Sequence, residues 1–316
     1  MDHLSQANRR PPQHNTNWGE CLMQVNTTYE PFSQQPEYIQ VNSEFLQTLP
    51  LNSINRVLDL ACGTGTLAEI LLSIRPEAGI VGIDISATSL DIGRRHFRER
   101  GLLAENQAEL DERIADQRGG VLFVEGSADI LPFESDSFDL VMMGNSIHML
   151  PDKDKLLSAI HRVLKPGGLF AFNSAFFVGT YPEGTEYVYT EWIKSALAYI
   201  TEQDEALRES GKPGITRKRG KVKKAFNKGW MAADQWVSLL EQNSFGVQHN
   251  GLRTMQWTQE SFETVGAYSG FAEVMMSGYP AEVASQSLQE GAKRAFSTCG
   301  VSAIPRYWLE IAATKK

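Results

Sequence analysis

Cysteine is scarce in this chain. The three present, Cys21, Cys62 and Cys299, lie far apart and form no C-x-x-C pair, which removes both a disulfide framework and a zinc ribbon from consideration. Cations are also in deficit, with 30 Lys and Arg against 38 Asp and Glu and a formal net charge of -8. Such a surface repels phosphate backbones and anionic lipid, so no nucleic acid partner is expected. No run approaches the roughly 18 apolar residues of a membrane span. The opening residues are polar, carry Pro11 and Pro12, and hold no apolar core of a secretory signal. These absences predict a soluble, cytoplasmic protein. What is present is ordinary: 316 residues, 42% hydrophobic and 22% charged, enough for one large α/β domain with elaborations. No internal repeat or low-complexity tract interrupts it.

The first half of the chain alternates strand and helix patterns. Arg56–Leu60 is a short apolar run that ends in the small-residue turn Ala61–Cys62–Gly63–Thr64–Gly65. Leu67, Ile70, Leu71 and Ile74 then mark one helical face, and Pro76 stops it. Ile80–Asp84 reads as a second buried strand, followed by an amphipathic helix over Ser89–Arg100. Val121–Val124 and Phe138–Met143 continue as strands, and Lys155–Leu164 as a helix closed by Lys165–Pro166–Gly167–Gly168 before a strand at Leu169–Asn173. This alternation implies a parallel sheet covered by helices on both faces. The charged stretch Leu103–Gly120 reads as a surface extension of the preceding helix plus a loop. Beyond Ser174 the pattern loosens: Ser174–Lys228 is mixed, aromatic and basic. Met231–Gln242 resumes a helix, Val247–Trp257 reads as a strand, Ser261–Ser297 as helical, and Arg306–Ala313 as a final strand.

The turn after the first strand carries the chemistry. Its glycines let a ligand approach the backbone at the carboxyl end of a strand, where open α/β sheets bind ligands. A G-x-G pair alone is shared with nicotinamide enzymes, and Asp59 is the discriminating residue. An acid at the mouth of the turn repels a pyrophosphate but suits a cofactor that bears an ammonium and a sulfonium. Asp84, closing the second strand, stands where an acid accepts hydrogen bonds from ribose hydroxyls; the alternative for it is a plain helix N-cap.

Four segments carry a resemblance: VLDLACGTGTLAEIL (57–71), VGIDIS (81–86), VEGSADILPFESDSFDLVMMGNSIHML (124–150) and HRVLKPGGLFAF (161–172). In sequence and order they resemble the successive motifs of class I S-adenosylmethionine-dependent methyltransferases, and most closely the group (methyltransferase type 11) that includes the ubiquinone/menaquinone C-methyltransferases. The resemblance implies a Rossmann-like, seven-stranded, mostly parallel sheet with helices on both faces and a mainly helical cap, the strand at Arg306–Ala313 running antiparallel between strands five and six. It implies S-adenosylmethionine as cofactor, with Asp59, Ala61, Gly63 and Gly65 lining the methionine portion, Asp84 on the ribose diol and Ile85 on the adenine. Where the group often has Gly-Asp-Ala after strand three, this chain has Gly126–Ser127–Ala128 with Asp129 next. The backbone of Ala128 can serve the adenine, and either Ser127 or Asp129 can meet its amine. Asn145 is implied as a wall of the reaction chamber. His148 has two readings, a general base, which its ordinary pKa near 6.5 suits, or a positioning and packing residue.

Absent motifs narrow the acceptor. After strand four there is neither the Asn/Asp-Pro-Pro-aromatic tetrad of amino-group methylases nor a Pro-Cys nucleophile, and Gly144 and Ser174 stand where a catechol-type metal site would want acids, so no metal is expected. The aromatic and Met residues of the two late connections, among them Phe176, Trp192, Phe262, Phe271 and Met276, can line a pocket for an apolar or aromatic small molecule, or simply pack the cap. The organisation expected is an N-terminal lid over 1–45 that includes Trp18, Tyr29 and Phe32, a core over 46–174, a cap insertion over 175–230, a core helix and strand over 231–257, a helical cap insertion over 258–303 and a last core strand over 304–316. The leading function is methyl transfer to a carbon or oxygen of a small molecule. The alternatives are a protein or RNA methyltransferase, which would show an open basic cleft, and a non-catalytic regulatory protein that binds the cofactor beside an obstructed chamber. A basic strip, Arg217, Lys218, Arg219, Lys221, Lys223, Lys224 and Lys228, is either a solvated loop or a lid whose cations meet an acidic substrate.

Overall fold

A computed structural model describes residues 28–218 and 230–316. Its centre is a seven-stranded sheet in the order β3-β2-β1-β4-β5-β7-β6. The strands are β1 (Arg56–Leu60), β2 (Gly79–Asp84), β3 (Gly120–Glu125), β4 (Phe138–Gly144), β5 (Leu164–Ser174), β6 (Phe245–Thr258) and β7 (Ala303–Lys315). The first five pair in parallel, and β7 runs antiparallel to both β5 and β6. A parallel strand buried on both faces reads as continuous apolar sequence, and alternate residues divide between the two faces. Leu58, Leu60, Val81, Ile83, Phe170 and Phe172 enter one core. Val57, Ile80, Leu140, Met142 and Ala171 enter the other.

The helices are α1 (Glu30–Ser33), α2 (Pro36–Gln47), α3 (Thr66–Ile74), α4 (Ala87–Glu99), α5 (Gln107–Ala115), α6 (Lys153–Val163), α7 (Glu186–Glu209), α8 (Ala233–Gln242), α9 (Gln259–Ala267), α10 (Ser269–Met275) and α11 (Ala281–Cys299). Among the described residues none is long and apolar enough to cross a membrane. Two sequence readings are corrected here. The stretch after α4 is an independent helix, α5: Gly101, at φ +68°, ends the previous helix, and the Asn106 side chain caps the new one by accepting from the Glu109 N–H. The helical stretch expected over 261–297 is three helices, broken at Tyr268 and again between Met276 and Pro280.

The third correction is α7, a 24-residue helix inside the segment whose pattern looked mixed. Its buried residues Val188, Trp192, Ser195, Ala196 and Ile200 form a stripe about one residue wide per turn, narrower than the usual amphipathic face. Packing concentrates there. The Trp192 indole donates to the Leu288 carbonyl at 2.7 Å, and Trp192, Phe262, Phe271 and Phe296 share a third core with α9, α10 and α11. Beneath this cap, β6 and β7 outrun the sheet. The β5–β7 register ends at Ser174–Leu309, while β6 and β7 stay paired to Thr258–Ala303. The overhang presents Ile304, Arg306 and Trp308 to the cap side.

Gly291 allows α11 to lie against α7: a Cβ there would stand 2.8 Å from the Ala196 backbone nitrogen and 2.9 Å from the Trp192 carbonyl oxygen. Neither is a flexible side-chain end, so Gly291→Val is expected to destabilise the chain by about 1–3 kcal/mol through overpacking. A urea melt measures it, and an unchanged midpoint contradicts this account of the cap.

Candidate functional site

Three residues of the first turn adopt left-handed backbone, Ala61 (φ +52°), Gly63 (φ +57°) and Gly65 (φ +90°). The curl turns the Gly63 N–H onto Asp84 Oδ2 at 2.8 Å, and the Ser86 N–H donates to Asp84 Oδ1 at 2.8 Å. The two glycines do different work. A Cβ on Gly63 would meet nothing within 4 Å, so that side of the turn faces open space. One on Gly65 would stand 2.8 Å from the Phe97 ring and 2.9 Å from the Phe123 ring. The missing Cβ of Gly65 therefore lets α4 and β3 pack on the turn.

Asp59 lies at 1% exposure, and neither carboxylate oxygen has a hydrogen-bond partner. Burial, and secondarily the neighbouring Asp84 carboxylate, push its pKa well above the usual aspartate value. Tyr29, Ser33, Tyr38, Gly63 and Gly144 enclose it with a cavity of about 50 Å³. That holds a water or two and falls well short of the several hundred Å³ of a small-molecule pocket. The N-terminal elements make it this small. Ser33 Oγ lies 3.0 Å from Thr66 Oγ1, and the Gln34 amide donates to the same Thr66 oxygen at 3.2 Å, tying α1 to the start of α3. Tyr29 thus lies over the turn, while Phe32 is buried against Trp257 in the cap core. Trp18 falls outside the described residues.

Across the turn, Asn145 follows β4 in a left-handed conformation (φ +45°) at 5% exposure. Its Nδ2 donates to Tyr29 Oη at 2.7 Å, and its Oδ1 accepts from the Ala175 N–H at 2.8 Å. Asn173 Oδ1 accepts from the Asn145 backbone N–H at 3.0 Å, and Asn173 Nδ2 donates to Asn42 Oδ1 at 2.8 Å. Three amides therefore connect α2, β5 and the end of β4. Asn42 and Asn173 went unnoticed in the sequence, although each is a polar residue at an inward position of an apolar pattern.

His148 sits in a short 3-10 turn after β4. Its ring packs 4.3 Å from Phe176, and Nδ1 lies 3.2 Å from Ser174 Oγ. Burial, with the Lys153 and Arg306 cations adding, pushes its pKa down to about 3. At neutral pH the ring is neutral and a weak proton acceptor. Asp129 is already engaged, accepting from Ser127 Oγ at 2.5 Å and from Lys155 Nζ at 2.8 Å, and these bonds hold its pKa below the usual value. Ser127 Oγ keeps lone pairs free to accept. Ala128 is buried, and Ile85 stands 75% exposed at the rim. Among the described residues no group of three His, Cys, Asp or Glu side chains is placed to hold a metal. Of the basic strip, Arg217 donates to the Ser277 carbonyl at 3.2 Å and lies over the Tyr279 ring, and the Lys218 N–H donates to the Gly278 carbonyl at 2.8 Å. Arg219, Lys221, Lys223, Lys224 and Lys228 fall outside the described residues. Arg306, buried at 2% exposure beside this site, was read only as the start of a strand. Its signal was a charge at an inward position of the strand alternation.

A family model described as a methyltransferase domain matches residues 58–172, the segment from β1 to β5. Over 125 residues the chain is 37% identical to a ubiquinone/menaquinone biosynthesis C-methyltransferase of Xylella fastidiosa, covering 39% of this chain and 44% of that protein. Over 133 residues it is 30% identical to a demethylmenaquinone methyltransferase of Geobacillus kaustophilus, covering 42% and 50%. The chain thus spans half or less of the length of these curated relatives. A crystal structure described as a methyltransferase of Bacillus halodurans aligns with 87% of this chain and 99% of that one, at a TM-score of 0.50 and 16% identity. That likeness establishes the shared fold.

Two outcomes follow from the titration shifts. Because the folded-state pKa of Asp59 is raised, the native chain binds a proton there more tightly than the unfolded chain does. Stability is therefore lost as pH rises through and above the ordinary aspartate range. Asp59→Asn should be more stable than the parent at pH 7, by on the order of 1–3 kcal/mol, with the gap closing at low pH. Urea midpoints at pH 3.5 and 7 check this, and a less stable variant at pH 7 would refute the unpartnered carboxylate. His148 shifts the other way: its folded pKa of about 3 lies below the ordinary 6.5, so stability is lost as pH falls from about 6.5 toward 3. His148→Gln should flatten part of that slope, and midpoints that track the parent through this window would show that the ring is not desolvated.

Proposed function

We propose that the chain is an S-adenosylmethionine-dependent methyltransferase that transfers a methyl group to a carbon or oxygen of a small, apolar or aromatic molecule. The observation that carries this reading is Asp59, a carboxylate buried without a partner at the end of β1, beside a glycine whose open side leaves room for a ligand, inside the segment that the methyltransferase family model matches. The residues present fit the cofactor. An ammonium group would satisfy Asp59, ribose hydroxyls would donate to Asp84, and Ile85 would cover one face of the adenine. Ser127 Oγ and the Ala128 backbone remain for its polar edge, because Asp129 is held by Lys155.

When bound, S-adenosylmethionine supplies a methyl group on a positively charged sulfur, which is already electrophilic. The protein is left to align the acceptor and keep water out. Asn145, fixed by Ala175 and Tyr29, gives a rigid wall at the end of β4. Tyr29 and Tyr38 close the turn against solvent, and burial raises both their pKa values well above normal, so their hydroxyls stay protonated. His148, neutral and packed on Phe176, positions that ring; a proton leaving the acceptor would find it a poor base. The relatives' names speak of C-methylation and of menaquinone, which favours a ring carbon as the acceptor atom here.

Asp84→Ala removes charged hydrogen-bond acceptors, each worth about 1.5–3 kcal/mol, so the affinity for S-adenosylhomocysteine should fall about tenfold to a hundredfold or more. Calorimetry on the parent and the variant measures it. A parent that fails to bind the ligand, or a variant with an unchanged dissociation constant, defeats the assignment.

A further inference from the structure

Arg306 is a buried cation with no counter-ion among the described residues. It stands on the overhang of β7 at 2% exposure. Its guanidinium carries five N–H donors. Nε donates to the Ala175 carbonyl and to Thr180 Oγ1, both at 3.2 Å, and Nη2 donates to the Ala175 carbonyl at 2.6 Å. The Tyr189 hydroxyl lies within reach of the same guanidinium, and no carboxylate among the described residues pairs with this arginine. Glu310, four residues along the same strand and equally buried, shows the contrast. It is matched by Arg253 at 2.5 Å, with His249 at 3.6 Å.

Around the Arg306 cation stand four aromatic rings: Trp257 at 4.4 Å, Phe176 at 4.9 Å, Tyr181 at 5.1 Å and Tyr189 at 5.6 Å from Cζ to the ring centroid. Their faces attract a cation, yet none supplies the negative charge that a desolvated guanidinium lacks. The Tyr189 hydroxyl is itself buried beside the guanidinium, and its proton has no acceptor among the described residues. A cation without a carboxylate and a hydroxyl without an acceptor thus lie in one aromatic box. The box adjoins the reaction chamber. Ala175 donates its N–H to Asn145 and gives its carbonyl to Arg306, and the Phe176 ring lies between His148, at 4.3 Å, and Arg306, at 4.9 Å.

We propose that Arg306 and Tyr189 recognise an anionic oxygen on the methyl acceptor, the carboxylate or ionised hydroxyl of an aromatic molecule whose ring packs among Phe176, Tyr181 and Trp257. The proposal rests on the methyltransferase reading of the adjoining site and narrows its substrate class from apolar or aromatic to acidic aromatic. Arg306 acts here as a specificity residue: it meets the acceptor away from the transferring methyl and fixes which way the ring faces.

The test uses the full chain, with and without saturating S-adenosylhomocysteine. It compares aromatic carboxylates (benzoate, salicylate and 4-hydroxybenzoate) with their neutral amides by calorimetry. At least one acid should bind about tenfold or more tightly than its amide, the usual consequence of one charge-assisted bond. Arg306→Met should bring the two within about threefold, Arg306→Lys should keep part of the preference, and Tyr189→Phe should weaken the acid several-fold. S-adenosylhomocysteine should bind every variant as it binds the parent. If no acid is preferred, or the Met variant keeps the preference, the proposal is wrong. Should Arg306→Met fail to fold, Tyr189→Phe carries the same decision, since it removes one hydroxyl and leaves the ring in place. Acid preference without S-adenosylhomocysteine binding would sink the methyltransferase reading alone, and cofactor binding without acid preference would sink this inference alone.

Discussion

Two carboxylates, Asp59 and Asp84, face the same glycine turn, and the turn has backbone donors for only one of them. The N–H groups of Gly63 and Ser86 both go to Asp84. Asp59 is left buried and unpartnered, its acidity weakened by burial and by its like-charged neighbour. A fold selected for stability alone would hold an amide or an apolar residue there. Much of the surrounding structure keeps this one group dry and reachable. Left-handed residues curl the backbone out of its way, Gly63 leaves room above it, and Tyr29, Ser33 and Tyr38 close it from solvent. The electrostatic demand is for a cation, and one at the carboxyl end of β1.

That end of β1 is also where the sheet changes direction. β1 lies between β2 and β4, so the chain winds outward on either side of it and leaves a crevice at the strand ends. The amide relay from Asn42 through Asn173 to Asn145 crosses this crevice and reaches the Tyr29 hydroxyl. It couples α2, which lies outside the matched methyltransferase segment, to two strands within it. The cover over the turn is therefore set by buried hydrogen bonds, whose partners are costly to separate in a dry interior, and not by loose surface contact.

The first four strands were legible because each is a short, mostly apolar run, and α3, α4 and α6 because each buries a broad face; α5 buries only Leu110, and β5 begins at Leu164, ahead of the Pro166–Gly168 stretch that reads as a breaker. β1 has the ends that the sequence pattern suggests, and Asp59, Asp84 and Asn145 stand at or just after the ends of β1, β2 and β4. The sequence could not show that the missing Cβ of Gly65 makes room for Phe97 and Phe123, because both rings are distant in sequence. α7 escaped notice because a narrow stripe led by Val188, Trp192 and Ile200 is diluted by a charged majority. Asn42, Asn173 and Arg306 were missed for a different reason. Each matters through a partner more than 100 residues away, and such a pairing leaves no local period.

The aromatic richness of the cap has a divided explanation. One part is ordinary packing: a long helix resting on three shorter ones needs large side chains to fill the space between them, and Trp192, Phe262, Phe271 and Phe296 pack on one another and, through Phe262 and Phe271, on the rings around Arg306. They form a core and leave no lining for a guest. The other part surrounds a charge. Phe176, Tyr181, Tyr189 and Trp257 converge on Arg306, and apolar packing alone cannot account for a guanidinium at the centre of the box. Filling the same volume with Met or Leu would avoid the desolvation cost altogether. Aromatic density by itself therefore identifies no binding surface in this cap. What separates a packed core from a recognition site is the unpaired polar group that the rings enclose, and the cap encloses Arg306 on the side that adjoins Asn145 and His148.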